Sequence, residues 1–285
     1  INIVVTKMPF AKFDDICKSV ADIFKKDFHS KTPVTLEIKV DRVGDKDLSL
    51  TTTSTYDFKA GSSLGNTLSA EWNGPNGFKL DKLEFDPKAD GAWSTETSME
   101  VPGVDGLKLE FKGNDSNKSD LSFIYKHAQA TVQGSVDCSD FKSFNGSVSS
   151  GKDDIAVGVG AAFKQGAPAN FSATASYTAP KMFMGLNLTN NFADVKGLFS
   201  FAVDKTTTIA ATSTYGTVKK NFGVNLGAVY KCNSNTSIKA KVDMDKNVDL
   251  SVKQAINKSL TVTGWTKVTD FKPNSAVFGG KIVLG

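Results

Sequence analysis

From residue 34 onward the chain is written almost entirely in a two-residue period. Ile238, Ala240, Val242 and Met244 alternate with Lys239, Lys241, Asp243 and Asp245. After Lys246 the pattern restarts, with Val248, Leu250 and Val252 against Asp249, Ser251 and Lys253. Val34, Leu36, Ile38 and Val40 oppose Thr35, Glu37, Lys39 and Asp41 in the same way, and Leu107, Leu109 and Phe111 oppose Lys108, Glu110 and Lys112. A period of two marks a strand with one apolar and one polar face. Read this way, the chain predicts nineteen strands near 34–42, 46–57, 65–73, 78–86, 92–101, 107–114, 119–127, 129–138, 143–151, 154–163, 168–179, 182–190, 194–204, 207–216, 222–231, 236–245, 247–256, 259–268 and 274–284. No helical stretch interrupts them. A strand and turn every ~13 residues is the spacing of consecutive hairpins.

That regularity decides between two architectures. A soluble sandwich of this size needs two sheets, crossovers and managed edges. Strands of nearly equal length in a simple meander close into one barrel, and so wide a barrel cannot fill its interior with side chains. The polar faces then line water and the apolar faces meet lipid. No run of 18 apolar residues exists, which excludes a membrane-spanning helix. A mean hydropathy of −0.20 is no objection, because barrel strands need only every second residue apolar. Phe163, Tyr177, Tyr215 and Tyr230 fall at strand ends on the apolar side, as an interfacial girdle requires. The expected fold class is all-β: a membrane barrel of about nineteen strands with an amino-terminal amphipathic helix.

Residues 1–33 form a separate amino-terminal segment, and residues 34–285 form the barrel. In the first, Met8–Phe28 carries the one helical pattern. Phe10, Phe13, Ile16, Cys17, Val20, Ala21, Ile23, Phe24 and Phe28 fall within an arc of about 160° at 100° per residue. Lys12, Asp14, Asp15, Lys18, Ser19, Asp22, Lys25 and Lys26 occupy the rest, and Asp27 alone falls on the wrong side. Pro9 suits a first helical turn. Such a helix packs on a core, lies against the inside of a barrel, or lies in a membrane interface.

The formal charge of +4 rests on 33 lysines and the single Arg42. Lysine without arginine suits a diffuse field better than bidentate clamps. Alternation points Lys39, Lys108, Lys112, Lys239, Lys241 and Lys253 inward as pore-lining residues, with Lys12, Lys18, Asp22 and Lys25 added from the helix. Glu37, Asp41, Glu110, Asp243 and Asp245 share the lysines' face, so no single lysine should dominate. Cys17, Cys138 and Cys232 are too few and too far apart for a disulfide framework or zinc site. His29 and His127 are the two histidines, which leaves hydrolytic, metal and redox centres without parts. Gly146–Asp153 matches GxxxxGK but has Asp153 where a phosphate loop needs Ser or Thr, and strand pattern follows instead of helix. Aromatics on the apolar phase leave no stacking platform for nucleic acid. No enzyme, cofactor or metal is expected. The first residues carry no basic segment followed by an apolar run, so no secretory leader is expected.

These residues together resemble the voltage-dependent anion channels, the mitochondrial porins, over essentially the whole chain. The segment Pro9–Phe28 is similar to that family's amphipathic helix. Gly106-Leu107-Lys108 matches a tripeptide associated there with nucleotide binding, and Ile238–Val252 looks like its carboxy-terminal signature, with Met244 a departure. Gly279, Ile282 and Leu284 in the last strand fit the sorting signal of mitochondrial barrels, with Val277 in place of a polar residue. The linker His29–Pro33 lacks the family's glycine-rich hinge. Its lipid-facing acidic residue is assigned to no position, with Asp81, Lys82 and Glu84 all nearby. The resemblance implies a channel of the mitochondrial outer membrane that passes small metabolites and anions including nucleotides, is weakly anion-selective and voltage-gated, and has its helix in the lumen. It implies the lipid bilayer as a partner, with further copies or a larger mitochondrial assembly as others. The alternatives are the barrel of the outer-membrane protein-import translocase, which should have a more acidic or mixed lumen, and a non-conducting structural subunit of a mitochondrial assembly.

Overall fold

The computed structural model describes residues 11–28, 34–41, 47–57, 63–87, 92–218 and 220–285. Pro9, Phe10, His29, the linker 29–33 and Arg42 lie outside the described residues. The strands are β1 (Val34–Val40), β2 (Leu48–Asp57), β3 (Ser63–Asn73), β4 (Phe78–Asp86), β5 (Ala92–Glu100), β6 (Leu107–Asn114), β7 (Ser119–Lys126), β8 (Ala130–Asp137), β9 (Ser143–Lys152) and β10 (Ile155–Lys164). They continue as β11 (Ala167–Ala179), β12 (Met182–Thr189), β13 (Asp194–Ala202), β14 (Thr207–Gly216), β15 (Asn221–Lys231), β16 (Thr236–Asp243), β17 (Val248–Ala255), β18 (Leu260–Val268) and β19 (Val277–Leu284). Each pairs antiparallel with the next, and β1 also pairs in parallel with β19, which closes a nineteen-stranded barrel.

The largest departure from the expected boundaries is at β19, which begins at Val277 rather than 274. Pro273–Ser275 forms a 3-10 turn there, and proline has no N–H to give a ladder. β16 stops at Asp243 because Asn247 caps the turn: its backbone N and its Nδ2 donate to the Asp243 carboxylate at 2.9 and 2.8 Å. Asp245 therefore lies in a turn and not on the pore face. Asp41 lies just beyond β1, where it pairs with Lys39 at 3.2 Å.

The tight turns explain the simple meander. β10 and β11 are joined by Gln165 and Gly166 alone, both at positive φ (53° and 79°), which matches the twist of a two-residue hairpin. Strand register then fixes which side chains face out. Val148, Val157, Leu226, Ile238, Leu250 and Ile282 lie 37–53% exposed on the outer surface. The aromatics form two girdles. Phe163 and Tyr215 end even-numbered strands and lie at one rim, while Tyr177 and Tyr230 end odd-numbered strands and lie at the other.

Two irregularities interrupt the pairing: the β10–β11 register slips between Ala162 and Phe163, which leaves Ala169 without an opposite residue, and β4 carries a bulge. The β4–β5 register slips between Leu80 and Lys82, and the β3–β4 register between Leu80 and Leu83, which makes Asp81 the extra, exposed residue of a bulge. Lys82 and Glu84 meet each other at 2.8 Å.

An odd number of antiparallel hairpins brings the first and last strands together pointing the same way. In the resulting seam Val34 pairs with Gly280, Leu36 with Ile282 and Ile38 with Leu284. On the inner side Lys281 Nζ meets Glu37 Oε2 at 2.5 Å, bridging the join. With the native cysteines replaced, Leu36→Cys with Ile282→Cys should crosslink on mild oxidation of the folded barrel. Leu36→Cys with Val283→Cys, on opposite faces, should stay reduced. Crosslinking of the second pair and not the first would place the seam one residue out of register.

Candidate functional site

The amino-terminal segment lies inside the barrel and runs along its wall across the strands. Its contacts advance strand by strand. The Ala11 carbonyl accepts from Ser149 Oγ of β9 at 2.6 Å, and the Phe13 backbone N donates to Gln133 Oε1 of β8 at 3.1 Å. Cys17 Sγ lies 3.6 Å from Thr174 Oγ1 of β11, whose hydroxyl donates to Asn187 Oδ1 of β12 at 2.6 Å. Val20, fully buried, packs with Leu198 of β13 and Ala210 of β14. Asp27 meets Lys239 of β16 at 2.8 Å and Lys253 of β17 at 3.4 Å. All these wall residues belong to the polar phase of their strands or replace it, so the segment occupies the lumen.

The expected continuous helix over 8–28 is shorter and broken. Phe13–Asp15 is one 3-10 turn, and α1 runs only from Lys18 to Lys25, with Cys17 at φ −107°, ψ 10° between them. The break lets Phe13, Ile16, Cys17 and Val20 all face a wall that curves away from a straight axis. The expected apolar arc is used: Phe13, Ile16, Cys17, Val20 and Phe24 meet the wall, while Lys18 pairs with Asp15 (2.9 Å) and Lys26 with Asp22 (2.5 Å) toward water.

The wall receives them through glycines that the alternation pattern had hidden among its polar positions. A Cβ on Gly158 would lie 2.7 Å from the Phe13 ring, one on Gly185 2.7 Å from Cys17 Sγ, and one on Gly227 2.9 Å from the Phe24 ring. Glycine inside a strand marks close approach of another group. Here three of them, with Ala156 and Ala210, form a trough.

The carboxyl end of α1 is latched. Lys241 Nζ donates to the Phe24 carbonyl at 3.2 Å, and Lys239 Nζ to the Lys26 carbonyl at 3.3 Å. These are carbonyls a helix end leaves without partners, and cations suit the negative end of its dipole. Lys241 also sits 4.5 Å over the Phe28 ring and 3.3 Å from Asp249. Asp27, the residue on the wrong side of the helical pattern, takes φ 67° and turns its carboxylate to the wall. Burial alone would push that carboxyl up, but the hydrogen bonds and charges of Lys239 and Lys253 outweigh it and hold it below the usual carboxylate range.

Pairing is the rule for the expected pore-lining charges. Lys12 and Lys108 share Glu110 Oε1 at 3.6 and 3.0 Å, and Lys112 meets Glu96 at 2.9 Å. With Lys18, Asp22, Lys39, Lys239, Lys241 and Lys253 partnered as above, Lys25 alone of the ten has no carboxylate within 4.0 Å among the described residues. Gly106-Leu107-Lys108 lines a cavity of about 340 Å³ with Lys12, Glu100, Asp105 and Lys126. Gly106 (φ +82°) has a local reason to be glycine: a Cβ there would overlap the Lys126 carbonyl. In β19, Ile282 and Leu284 face outward at 41% and 38% exposure, and Gly279 pairs with Trp265.

Cys17 reports on the latch. It is 5% exposed, and burial pushes its thiol up against the opposing pull of Thr174 and Lys196, so it should react slowly. With Cys138 and Cys232 replaced by serine, Asp27→Asn should weaken docking by about 1–3 kcal/mol, because it leaves Lys239 and Lys253 without their counter-charge. Cys17 labelling should then accelerate about tenfold or more, and added salt should narrow the gap from the wild type. Gly185→Val should accelerate labelling at every salt concentration, because it acts by overlap. As a group with a depressed folded pKa, Asp27 contributes docking stability above about pH 4, lost only as pH falls through the lowered value.

A profile of the family described as eukaryotic porin matches residues 10–279. The chain is 22% identical over 253 residues to the mitochondrial outer membrane protein porin of Neurospora crassa, covering 83% of this chain and 84% of that one. In fold it is similar to a triple mutant of Rhodopseudomonas blastica porin, with a TM-score of 0.50 at 10% identity over 87% of this chain and 94% of that one. A structure described as "Asymmetric conductivity of engineered proteins" matches equally, with a TM-score of 0.50 at 10% identity over 86% and 94%. A closed barrel with a lipid-facing exterior, a hydrated lumen and a matching profile over nearly its whole length leads to one conclusion: this chain belongs to the eukaryotic porin family, whose members are channels and not enzymes.

Proposed function

We propose that this channel of the mitochondrial outer membrane passes small metabolites by diffusion, with a weak preference for anions including nucleotides and a shallow dependence on voltage. The observation that carries the reading is the pairing of lumenal charge. Lysines outnumber carboxylates, but most of them sit beside a carboxylate, so the field in the pore is the small remainder. A remainder screened over about 8 Å at physiological ionic strength biases ion entry without excluding cations. Lys108 of the Gly-Leu-Lys tripeptide is the cation a nucleotide phosphate would meet there, in competition with Glu110. The last strand, with Gly279, Ile282 and Leu284, supplies the sorting signal for barrel assembly. The helix narrows the lumen along the strands it crosses.

Voltage dependence follows from the same accounting. Between residues 11 and 28, Lys12, Lys18, Lys25 and Lys26 balance Asp14, Asp15, Asp22 and Asp27. Moving the whole segment carries no net charge through a potential worth about 2.3 kcal/mol per charge per 100 mV. Steep gating would need one end to move alone.

Reconstitution in planar bilayers with a KCl gradient tests this. The expected result is a conducting channel with a modest anion-directed reversal potential that shrinks as mean salt rises. Deleting residues 1–28 should enlarge the conductance. A barrel that inserts without conducting would be a structural subunit instead, and a cation-directed reversal potential would favour a pore for basic peptides.

A further inference from the structure

Every connection from an even-numbered strand to the next odd one lies at one end of the barrel, the rim of Phe163 and Tyr215. Three of these connections carry a phenylalanine at their tip. Phe141 (β8–β9), Phe192 (β12–β13) and Phe271 (β18–β19) are 64%, 50% and 56% exposed, and their φ angles are 54°, 65° and 53°. That left-handed region suits glycine and asparagine and is costly for a bulky side chain. The backbone of the tips is nevertheless tied down. The Phe141 N donates to the Asp137 carbonyl at 3.0 Å, and the Phe271 N donates to the Lys246 carbonyl of the neighbouring turn at 3.0 Å. At the opposite rim the left-handed positions of the described turns are Asn76, Gly77, Gly103, Gly106 and Asp153. The exposed apolar tips there, Val104, Val203 and Ile256, are aliphatic and adopt no such backbone. Asparagine or glycine would make the three phenylalanine turns at lower cost, so the turns themselves do not account for the rings. A contact beyond the barrel does.

Placement identifies that contact. Four, six and nine strands separate the three tips around the ring. A partner seated on one sector of the rim reaches one or two of them, whereas the bilayer encircles the barrel and reaches all three. Depth agrees. Phe141 and Phe192 lie two residues from the nearer strand end and Phe271 three. At ~3.3 Å per residue and a strand tilt of ~40°, the tips rise about 5–8 Å past the strands, which matches the headgroup layer of one leaflet, about 5–8 Å thick. The flanking charges cancel: Asp140 and Lys142 lie 3.9 Å apart across Phe141, and Asp270 and Lys272 pair at 2.6 Å across Phe271. These two tips offer a ring and no net charge. We infer that Phe141, Phe192 and Phe271 are anchors seated in the headgroup layer of one leaflet, giving the barrel an asymmetric hold on the two membrane surfaces. The inference rests on the membrane barrel itself and is independent of the selectivity and gating proposed above.

The test uses the full-length chain with Cys17, Cys138 and Cys232 replaced by serine. One cysteine at a time is introduced as Phe141→Cys, Phe192→Cys, Phe271→Cys or, on the opposite rim, Ser234→Cys. Each is labelled with an environment-sensitive fluorophore in phosphatidylcholine vesicles that carry a nitroxide on the headgroup. The three rim labels should emit to the blue of the Ser234 label, be quenched by the nitroxide and be shielded from aqueous acrylamide, at high salt as at low. Acrylamide quenching as strong at the three tips as at position 234 would overturn the inference and leave the tips to a soluble protein across the mouth. Equal nitroxide quenching at position 234 would overturn the asymmetry. Protection lost in salt would transfer the contact to Lys142 and Lys272 and overturn the role of the rings. A second arm needs no label. Phe141→Asn, Phe192→Asn and Phe271→Asn together relieve three left-handed phenylalanines, which by itself raises the urea midpoint for unfolding from the vesicle. Loss of the anchors lowers it, and a lower midpoint is the expected result. A raised or unchanged midpoint would overturn the anchors.

Discussion

A strand in lipid must have every backbone N–H and C=O satisfied by another strand, because an unpaired polar group in hydrocarbon costs several kcal/mol and no water is present to relieve it. Closure is therefore obligatory, and nineteen strands can close only with one parallel pair. That seam is the weakest point of the ring: five residue pairs join β1 to β19, against seven between β1 and β2. The Glu37–Lys281 contact crosses it on the lumenal side, where water tolerates charge. Register at the seam also sets the inside and outside of both terminal strands, since a slip of one residue would turn Lys39 and Lys281 toward lipid.

The helix imposes a second demand, opposite to the first. A water-lined wall should be polar throughout, yet a segment with an apolar face can dock only where part of that wall is apolar. The chain resolves this by dividing the lumen. Leu198, Ala210, Phe183 and the trough glycines take the helix face, and the paired charges of β16 and β17 take its carboxyl end. Packing holds the middle of the segment and ion pairs hold its end. The two contributions differ in their response to salt: added salt weakens the hold on the end and leaves the packing of the middle unchanged.

The strands were legible because a two-residue period survives any choice of turn, and because lipid on one side and water on the other keep that period clean. The apolar arc of the helix was legible for the same reason. The break at Cys17 was not, since it answers the curvature of a wall contributed by residues more than a hundred positions away. Asp27 stood out as the one residue out of phase, but its meaning needed Lys239 and Lys253 in place. Gly158, Gly185 and Gly227 sat on the polar phase and read as ordinary small residues.

Register also decides what a formal charge is worth. The +4 of the whole chain suggests a pore uniformly attractive to anions, but a lysine and a carboxylate 3 Å apart present a dipole whose field falls off much faster than that of a lone charge. In a pore wider than the screening length such dipoles are felt only by ions that touch the wall. The far-reaching part of the field comes from the few charges without partners, and their position along the pore matters more than the total. Two chains with the same lumenal composition and different cross-strand pairing would thus differ in selectivity. In this protein Lys79, Lys126, Lys196 and Lys267, inward lysines with no carboxylate within 4.0 Å among the described residues, are spread around the barrel, so the unpaired field is distributed as well.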